Sequence, residues 1–247
     1  MDQFEQTKKD PKNLWPRADG IVLMVAGSPT GDLDHDFNEL ASKAAFIIAV
    51  DSGANLVYDA QLFPDCLVGD FDSIHSEVLA ACRSHGSEII ASNPHKDKTD
   101  LELALELLDS RSELRALPLV IINILGGRLD HELVAFGAIA RFAHLRPQIV
   151  AKGMSIFFLS PGNSELVLNP RKRNGADNST SWRDLTVSVI ALNGEAVISE
   201  KGMEWELDHI RLRPLDPHGI SNCIKSSEAC IRVHEGSAAV FLTVRES

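Results

Sequence analysis

The sequence predicts an α/β fold in which a doubly wound, mostly parallel sheet with helices on both faces is followed by a smaller C-terminal all-β sandwich. From Ile21 to about Val150, short apolar runs alternate with segments of helical periodicity, which is typical of a parallel sheet connected by helices. After about Ala151 the pattern changes to short strand-like runs separated by turns, as in a β-sandwich. We therefore expect a polar N-terminal extension at 1–17, an α/β domain at 18–150 and a β-sandwich domain at 151–247.

Apolar runs predict the strands of both domains. In the first domain these runs are Ile21 to Val25, Phe46 to Val50, Cys66 to Val68, Glu88 to Ala91 and Leu119 to Ile124. In the second they are Ser155 to Leu159, Leu185 to Leu192, Ala196 to Ser199 and Ala238 to Val244. The polar stretch Asn169 to Arg183 between the second-domain runs predicts a mobile loop.

Two helices of the first domain can be placed by their start signals. Thr99 and Glu102 have capping-box spacing, and apolar residues follow at helical spacing at Leu101, Ala104, Leu105 and Leu108. The second helix begins near Asp130, with an apolar stripe at Leu133, Phe136, Ala140 and Ala143. Ligands of such sheets bind where strands end and helices begin, so we expect the site at these helix starts.

Composition limits the classes of partner. The formal net charge of −11 over 247 residues argues against general affinity for nucleic acid or for an anionic membrane. No run is long enough to span a membrane, and the N-terminal residues lack the pattern of a secretory signal. The four cysteines are scattered, which favours reduced thiols in a cytoplasmic protein.

The segment Gly69 to Ser73 carries two carboxylates, Asp70 and Asp72, directly after an apolar run. If the segment is extended, both carboxylates face the same side. Mg²⁺ is commonly held by one or two such carboxylates together with substrate phosphates. The alternative is an ordinary turn or helix cap, because Asp and Ser bond nearby backbone N–H groups.

Two glycine-containing segments also follow predicted strands. In Asp51 to Asn55, Gly53 would allow close approach to a phosphate at a helix start, or the segment is an ordinary capped turn. In Gly126 to His131, Arg128 offers a planar fork suited to phosphate oxygens. Its alternative is a glycine turn in which Arg128 pairs with Asp130, and His131 has an alternative as a hydrogen-bonding residue at the helix start.

The segment Lys96 to Asp100 mixes charges at a helix start. An acidic residue there is favourable for the helix dipole alone, but a metal completed from several loops would also use it. The P-loop signature with its lysine and the dinucleotide-binding glycine signature are absent from the sequence. A nucleotide enzyme with this sequence is therefore not a P-loop kinase.

Together, the four segments resemble the motifs of the thiamine pyrophosphokinase family, whose pattern runs D-G-G-A-N, G-D-F-D-S, D-x-T-D and L-G-G-R-x-D-H. The matching segments here are Asp51 to Asn55, Gly69 to Ser73, Asp97 to Asp100 and Leu125 to His131. Ser52 replaces the first glycine of the pattern, a departure expected to alter phosphate contact only slightly.

The resemblance implies transfer of the pyrophosphoryl group of ATP to the hydroxyethyl oxygen of thiamine, giving thiamine diphosphate and AMP. It implies Mg²⁺ and ATP in the α/β domain, and a homodimer whose thiamine site lies near the subunit interface within the β-sandwich domain. The implied metal ligands are Asp70, Asp72 and Asp100, with Asp97 as a fourth ligand or general base and Arg128 stabilising the transferred phosphates. The implied ATP-binding residues are Asp51, Gly53, Asn55, Lys98, Thr99, Gly127, Arg128, Asp130 and His131.

The resemblance is thinner in the C-terminal part, where it involves Gly202 to Leu207 and Gly219 to Asn222. It implies that Trp205 offers a π-face to the cationic thiazolium and that Ser221 and Asn222 bond the aminopyrimidine. The alternatives are a tryptophan in the core of the sandwich and a plain turn at Ser221 and Asn222.

Two other functions compete with thiamine pyrophosphorylation. One is a pyrophosphokinase that acts on another alcohol, such as a hydroxymethylpterin, and the other is a non-catalytic dimer that senses nucleotide or thiamine. Trp205, Ser221 and Asn222 favour thiamine over a pterin. The intact set of Asp70, Asp72, Asp100 and Arg128 favours an enzyme over a sensor.

Overall fold

The computed structural model describes residues 20–28, 37–92, 98–168 and 185–245. The predicted N-terminal extension, the Asn169 to Arg183 loop and Asp97 lie outside these residues. The chain divides into two compact units between Ala135 and Phe136.

The first unit contains a five-stranded parallel sheet in the order β5-β1-β2-β3-β4. The strands are β1 Ile21–Val25, β2 Ala44–Val50, β3 Cys66–Gly69, β4 Glu88–Ala91 and β5 Leu119–Ile122. Residues of β1 and β3 are almost wholly buried, as expected for parallel strands covered on both faces. The predicted α/β class and all five predicted strands are confirmed.

Helices connect and follow these strands. They are α1 Phe37–Lys43, α2 Gly53–Asp59, α3 Ser76–His85, α4 Asp100–Ser110, α5 Ser112–Arg115 and α6 Leu129–Arg141. The capping box is confirmed in part, because Thr99 Oγ1 accepts a hydrogen bond from the Glu102 backbone N–H at 3.3 Å. None of the described helices is long and apolar enough to cross a membrane.

The predicted stripe of α6 is confirmed in part. Ala140 and Ala143 are buried and the Phe136 ring packs against Phe158, whereas Leu133 is 59% exposed. Ala138 and Ile139, outside the predicted stripe, are buried as well. Apolar residues occupy most positions of this helix, so several stripes fit the 3.6-residue period equally well and periodicity does not choose between them.

The second unit is a β-sandwich, as predicted. Its strands are β6 Pro147–Ala151, β7 Met154–Leu159, β8 Glu165–Leu168, β9 Leu185–Ala191, β10 Ala196–Lys201, β11 Leu207–Leu212, β12 Asn222–Cys223, β13 Ala229–Glu235 and β14 Ala238–Val244. They are ordered β12-β9-β14-β7-β6 in one antiparallel layer and β11-β10-β13-β8 in the other. Their apolar side chains form one core that includes Val187, Val189, Ile198, Ile231 and Val240.

Candidate functional site

A cavity of about 620 Å³ opens where the strands of the first unit end and their helices begin. Its lining comes from the segments that follow β1, β2 and β5 and from the starts of α4 and α6. The polar lining residues are Ser28, Asp51, Thr99, Asp100, Arg128, Asp130, His131 and Glu132. The cavity therefore lies at the edge of the sheet that the sequence predicts for a ligand.

Asp51 is held in an unusual position between β2 and α2. Its backbone is in the left-handed region, with φ 49°, and its N–H donates to the Val68 carbonyl oxygen at 2.8 Å. Its Oδ2 accepts a hydrogen bond from Ser73 Oγ, while its Oδ1 is buried and has no hydrogen-bond partner among the described residues. An unpartnered buried carboxylate oxygen is costly, and a bound cation would satisfy it.

Asp51, Asp70 and Asp72 form a cluster in which one ligand oxygen from each lies within 4.8 Å of the others. The negative charge of Asp70, with burial and Asp51 contributing further, raises the pKa of Asp72. Oxygen-only, carboxylate-rich donors suit a hard divalent cation such as Mg²⁺. The residues present therefore fit the metal that the sequence predicts.

The Asp70 segment is a turn and not an extended strand. Strand β3 ends at Gly69, Phe71 has φ 67°, and the Asp72 N–H donates to Asp70 Oδ1 at 3.1 Å. The expectation of an extended segment is therefore wrong. The turn nevertheless brings both carboxylates into one cluster with Asp51, so the turn alternative and the metal hypothesis hold together.

Of the residues predicted to act at the start of α4, Asp100 and Thr99 line the cavity, whereas Lys98 pairs with Glu106 instead. Asp100 lines the cavity, as does Asp51, but it is not part of the three-carboxylate cluster. Lys98 is bound to Glu106, with Nζ and Oε1 2.6 Å apart, and that contact raises the pKa of Lys98. Thr99 lines the cavity and caps its own helix.

Gly53 and Asn55, predicted to bind ATP, are not among the residues that line the cavity. A Cβ at Gly53 would meet the Val25 carbonyl oxygen at 2.2 Å, so glycine is needed for close packing of α2 against the end of β1. Asn55 donates to the Ser73 carbonyl oxygen at 3.2 Å and accepts from the His75 N–H at 3.1 Å. It thereby fixes the loop that follows the acidic turn.

The loop before α6 contains an anion-binding concavity that is filled by a carboxylate of the same chain. The N–H groups of Gly126 and Gly127 both donate to Glu132 Oε1, at 2.8 and 2.9 Å. Converging backbone N–H groups of this kind bind anions. Glu132 carries no motif signal, so sequence reasoning missed it.

Arg128 and Asp130 form a two-pronged ion pair on the rim of the cavity. The Arg128 Nη2 and Asp130 Oδ2 atoms are 2.6 Å apart, and Nε and Oδ1 are 3.2 Å apart. The hydrogen bond from Arg128 lowers the pKa of Asp130 to about 2. The alternative in which Arg128 pairs with Asp130 is therefore present in the structure, next to the cavity-lining His131.

Further bonds that the sequence did not indicate connect the loops after β1 and β5. Asn123, whose φ is 55°, donates from Nδ2 to the Ala26 carbonyl oxygen at 2.7 Å. Ser28 donates from Oγ to the Leu125 carbonyl oxygen at 2.7 Å. Neither residue belongs to a motif, and only their proximity in space reveals the contact.

The second unit presents Trp205 at its surface. Its side chain is 61% exposed, so the alternative of a core tryptophan is wrong. Asn222 Oδ1 accepts from the Trp205 N–H at 3.2 Å, and Asn222 Nδ2 donates to the Trp205 carbonyl oxygen at 2.7 Å. Ser221 is exposed and has φ 61°. Asn222 also donates to the carboxyl group of Glu200, and burial raises the pKa of that carboxyl group to about 7.

Two family models match different parts of the chain, and the first match extends past the boundary between the two units. The family model described as "Thiamin pyrophosphokinase, catalytic domain" matches residues 37–151, and the one described as "Thiamin pyrophosphokinase, vitamin B1 binding domain" matches residues 177–237.

Named relatives and solved structures agree with these matches. The chain is 26% identical over 221 residues to thiamine pyrophosphokinase 1 of Oryza sativa subsp. japonica, covering 82% of this chain and 80% of that protein. It is 28% identical over 155 residues to thiamine pyrophosphokinase of Bacillus subtilis, covering 62% and 70%. The fold is similar to crystal structures of thiamin pyrophosphokinase from Geobacillus thermodenitrificans, with TM-score 0.72, 22% identity and coverage of 92% and 99%. It is also similar to that from Candida albicans, with TM-score 0.73, 17% identity and coverage of 94% and 90%.

Glu200 gives a stability prediction with a defined sign. Its pKa is about 7 in the folded state, above the ordinary value of its side chain, so the folded chain binds more protons than the unfolded chain between about pH 4.5 and 7. As the pH rises from about 4.5 to 7, the free energy of unfolding should therefore fall by about 3 kcal/mol relative to that of Glu200→Gln, whose side chain does not titrate. Urea unfolding of both proteins at several pH values measures this difference. Curves that stay parallel would contradict it.

Proposed function

The chain belongs to the thiamine pyrophosphokinase family, and on that premise we propose that it transfers the pyrophosphoryl group of ATP to the hydroxyethyl oxygen of thiamine, releasing AMP. The observation that carries the proposal is the cluster of Asp51, Asp70 and Asp72, in which a buried Asp51 oxygen has no hydrogen-bond donor within the described ranges of the chain. Such a cluster beside a cavity large enough for a nucleotide suits chemistry on a metal-bound polyphosphate.

In this proposal Mg²⁺ is held by Asp70 and Asp72, as expected from the sequence, with Asp51 added as a ligand and Asp100 reaching the same cavity. The ion supplies positive charge that offsets the charge of the ATP phosphates. The carboxylates orient it, and Ser73 and Asn55 hold their loops in place.

The Gly126 and Gly127 N–H groups are the proposed phosphate cradle. A phosphate oxygen would take the position that the Glu132 carboxylate holds, and Arg128 would exchange Asp130 for a phosphate. These donors then stabilise the charge that builds on the β-phosphoryl oxygens as thiamine attacks and AMP leaves. Asp97 remains a proposed fourth metal ligand or general base for the hydroxyl proton, and His131 and Asp130 shape the nucleotide pocket together with Asp51.

The second unit is the proposed thiamine-binding and dimerisation domain. The exposed Trp205 indole offers its face to the cationic thiazolium, and the exposed Ser221 provides polar groups for the aminopyrimidine side. The sequence also assigned Asn222 to the aminopyrimidine, but its buried amide is bonded to Trp205, Cys223 and Glu200, so we do not propose it as a direct contact. A homodimer with the thiamine site near the subunit interface, acting in the cytoplasm, completes the proposal. The match of residues 177–237 to a vitamin B1 binding domain supports thiamine over a pterin.

The direct test is incubation with ATP, Mg²⁺ and thiamine, followed by identification of both products. We expect thiamine diphosphate and AMP in equal amounts, because the pyrophosphoryl group moves as one unit. Formation of ADP with thiamine monophosphate, or turnover of a hydroxymethylpterin in place of thiamine, would overturn the proposal.

Asp72→Asn should remove turnover without harming the fold. The substitution takes a charge from the proposed metal site, so we expect a loss of about 100-fold or more in kcat/KM. It also relieves the repulsion from Asp70 and Asp51, so the melting temperature should stay the same or rise slightly. Kinetics at several Mg²⁺ concentrations and thermal melting measure both effects.

Asp59→Asn is the matched control for this variant, because Asp59 is an exposed aspartate at the end of α2 and outside the cluster. It should leave both activity and melting unchanged. Near-normal activity of Asp72→Asn at saturating Mg²⁺ would show that the segment from Gly69 to Ser73 is only a structural turn and does not bind the metal.

Trp205→Ala should weaken thiamine binding with little effect on stability. A cation–π contact of ~0.5–2 kcal/mol corresponds to a rise of about 2- to 30-fold in the thiamine KM. Trp205→Phe retains a π-face and should raise it less. The melting temperature should barely change, because an exposed side chain leaves no cavity when it is truncated.

Leu215→Ala, at another exposed apolar residue of the second unit, controls for general loss of surface area. Thiamine kinetics, ATP kinetics and calorimetric melting of the three variants decide the role of Trp205. An unchanged thiamine KM in Trp205→Ala would remove Trp205 from the site.

A further inference from the structure

Glu200 is the one charged side chain buried among the described residues, with 0% exposure. It lies opposite Ile231 in the pairing of β10 with β13, and directly opposite residues of a ladder point to the same face. Ile231 belongs to the apolar core of the sandwich, so the Glu200 carboxyl group is directed into that core. Its Oε1 has no hydrogen-bond partner in the described part of the chain.

This arrangement is unfavourable for stability. Burial of a carboxyl group with an unpartnered oxygen costs free energy, and an apolar side chain of similar volume would avoid that cost. The interaction that Glu200 does make is therefore informative. Its Oε2 accepts a hydrogen bond from Asn222 Nδ2 at 2.6 Å, and both side chains are buried.

The Asn222 amide uses its full hydrogen-bonding capacity inside the protein. Its Nδ2 donates to Glu200 Oε2 and to the Trp205 carbonyl oxygen. Its Oδ1 accepts from the N–H groups of Trp205 and Cys223, at 3.2 and 2.9 Å. A primary amide has two N–H donors and two acceptor lone pairs, so no group remains for a ligand.

Both polar groups of the Trp205 backbone are thus bound by one side chain. Neighbouring residues are attached separately, since the Glu204 N–H donates to the Cys223 carbonyl oxygen at 2.8 Å and the Lys225 N–H donates to the Gly202 carbonyl oxygen at 3.0 Å. The orientation of Trp205 itself depends on Asn222, and one amide hydrogen of Asn222 depends on Glu200.

We propose that Glu200 is a positioning residue for thiamine binding: it holds the Asn222 amide, and Asn222 holds the Trp205 backbone so that the exposed indole is presented to the cationic ring of the substrate. The inference rests on the proposed function, because stacking on Trp205 requires that thiamine is the substrate. Asn222 then acts through Trp205 and not by contact with the aminopyrimidine.

Three variants of the full-length chain test this role. Glu200→Leu removes the acceptor, Glu200→Gln keeps an oxygen for Asn222, and Ile231→Val removes one methylene from the same core as a matched control. We expect Glu200→Leu to raise the thiamine KM about tenfold, the size of effect of one buried donor left unpaired. The ATP KM and the kcat should stay unchanged, and Glu200→Gln and Ile231→Val should keep a thiamine KM near that of the unmodified chain.

A second measurement does not depend on turnover. Hydrogen exchange of the Trp205 and Cys223 amides should be faster in Glu200→Leu than in Glu200→Gln or Ile231→Val, because those amides donate to the released Asn222 side chain. If the unmodified chain does not turn over thiamine, the proposed function fails, and the exchange rates still test whether Glu200 holds Asn222 in place.

Three results would overturn the inference. The first is equal exchange rates in Glu200→Leu and Glu200→Gln. The second is an unchanged thiamine KM in Glu200→Leu with normal thiamine turnover in the unmodified chain. The third is an equal rise of the thiamine KM in Ile231→Val, which would assign the effect to general loosening of the core.

Discussion

Three carboxylates lie close together at the ends of β2 and β3, and the turns around them must hold like charges against mutual repulsion. Asp51, Asp70 and Asp72 are held together although like charges at short distance repel, so the surrounding backbone must fix them. It does so with the left-handed residues Asp51 and Phe71 and with the hydrogen bond from Asp51 N–H to Val68 at the end of β3. Gly69 also leaves room, since a Cβ there would stand 3.3 Å from Asp51 Oδ1. The parallel strands supply the rigid ends from which these turns depart, and a cation is the group that would relieve the repulsion.

The cavity also carries its own negative charges at the positions proposed for phosphate. The Glu132 carboxylate accepts hydrogen bonds from the N–H groups of Gly126 and Gly127, and the Asp130 carboxylate pairs with the Arg128 guanidinium. In the structure these carboxylates satisfy the donors. If ATP binds as proposed, its polyphosphate would exchange with them, and part of its favourable contact energy would be offset by the lost internal contacts. Such an exchange would favour ligands with several negative oxygens, because a singly charged anion would replace one carboxylate with little gain.

The sequence predicted the parts of this arrangement that follow from local pattern. The five strands of the parallel sheet, four strands of the sandwich (β7, β9, β10 and β14), the cap at Thr99 and the acidic motif of Asp70 and Asp72 were found. Each is encoded within a few adjacent residues, which periodicity and motif reading can detect. The strands β6, β8, β11, β12 and β13 were not predicted. The role of Glu132 was not predicted, because its contact with Gly126 is formed only when the loop folds back onto α6. The burial of Glu200 was also missed, since an acidic residue at the end of an apolar run is normally solvated. Its partner Asn222 is distant in sequence, so only the tertiary structure brings the pair together.

Two buried side-chain oxygens lack a hydrogen-bond partner in the described part of the chain, Asp51 Oδ1 and Glu200 Oε1. Each costs stability, and each lies in a different unit, beside a different proposed substrate group. The physical remedies differ. Asp51 belongs to a cluster of carboxylates beside the cavity, so a bound cation would satisfy its oxygen and recover the cost on binding. Glu200 is wholly buried in the structure, so a ligand at the protein surface would not contact its oxygen and would not recover the cost. A cost that binding cannot recover is consistent with a residue that fixes the geometry of a neighbour and does not itself touch the substrate.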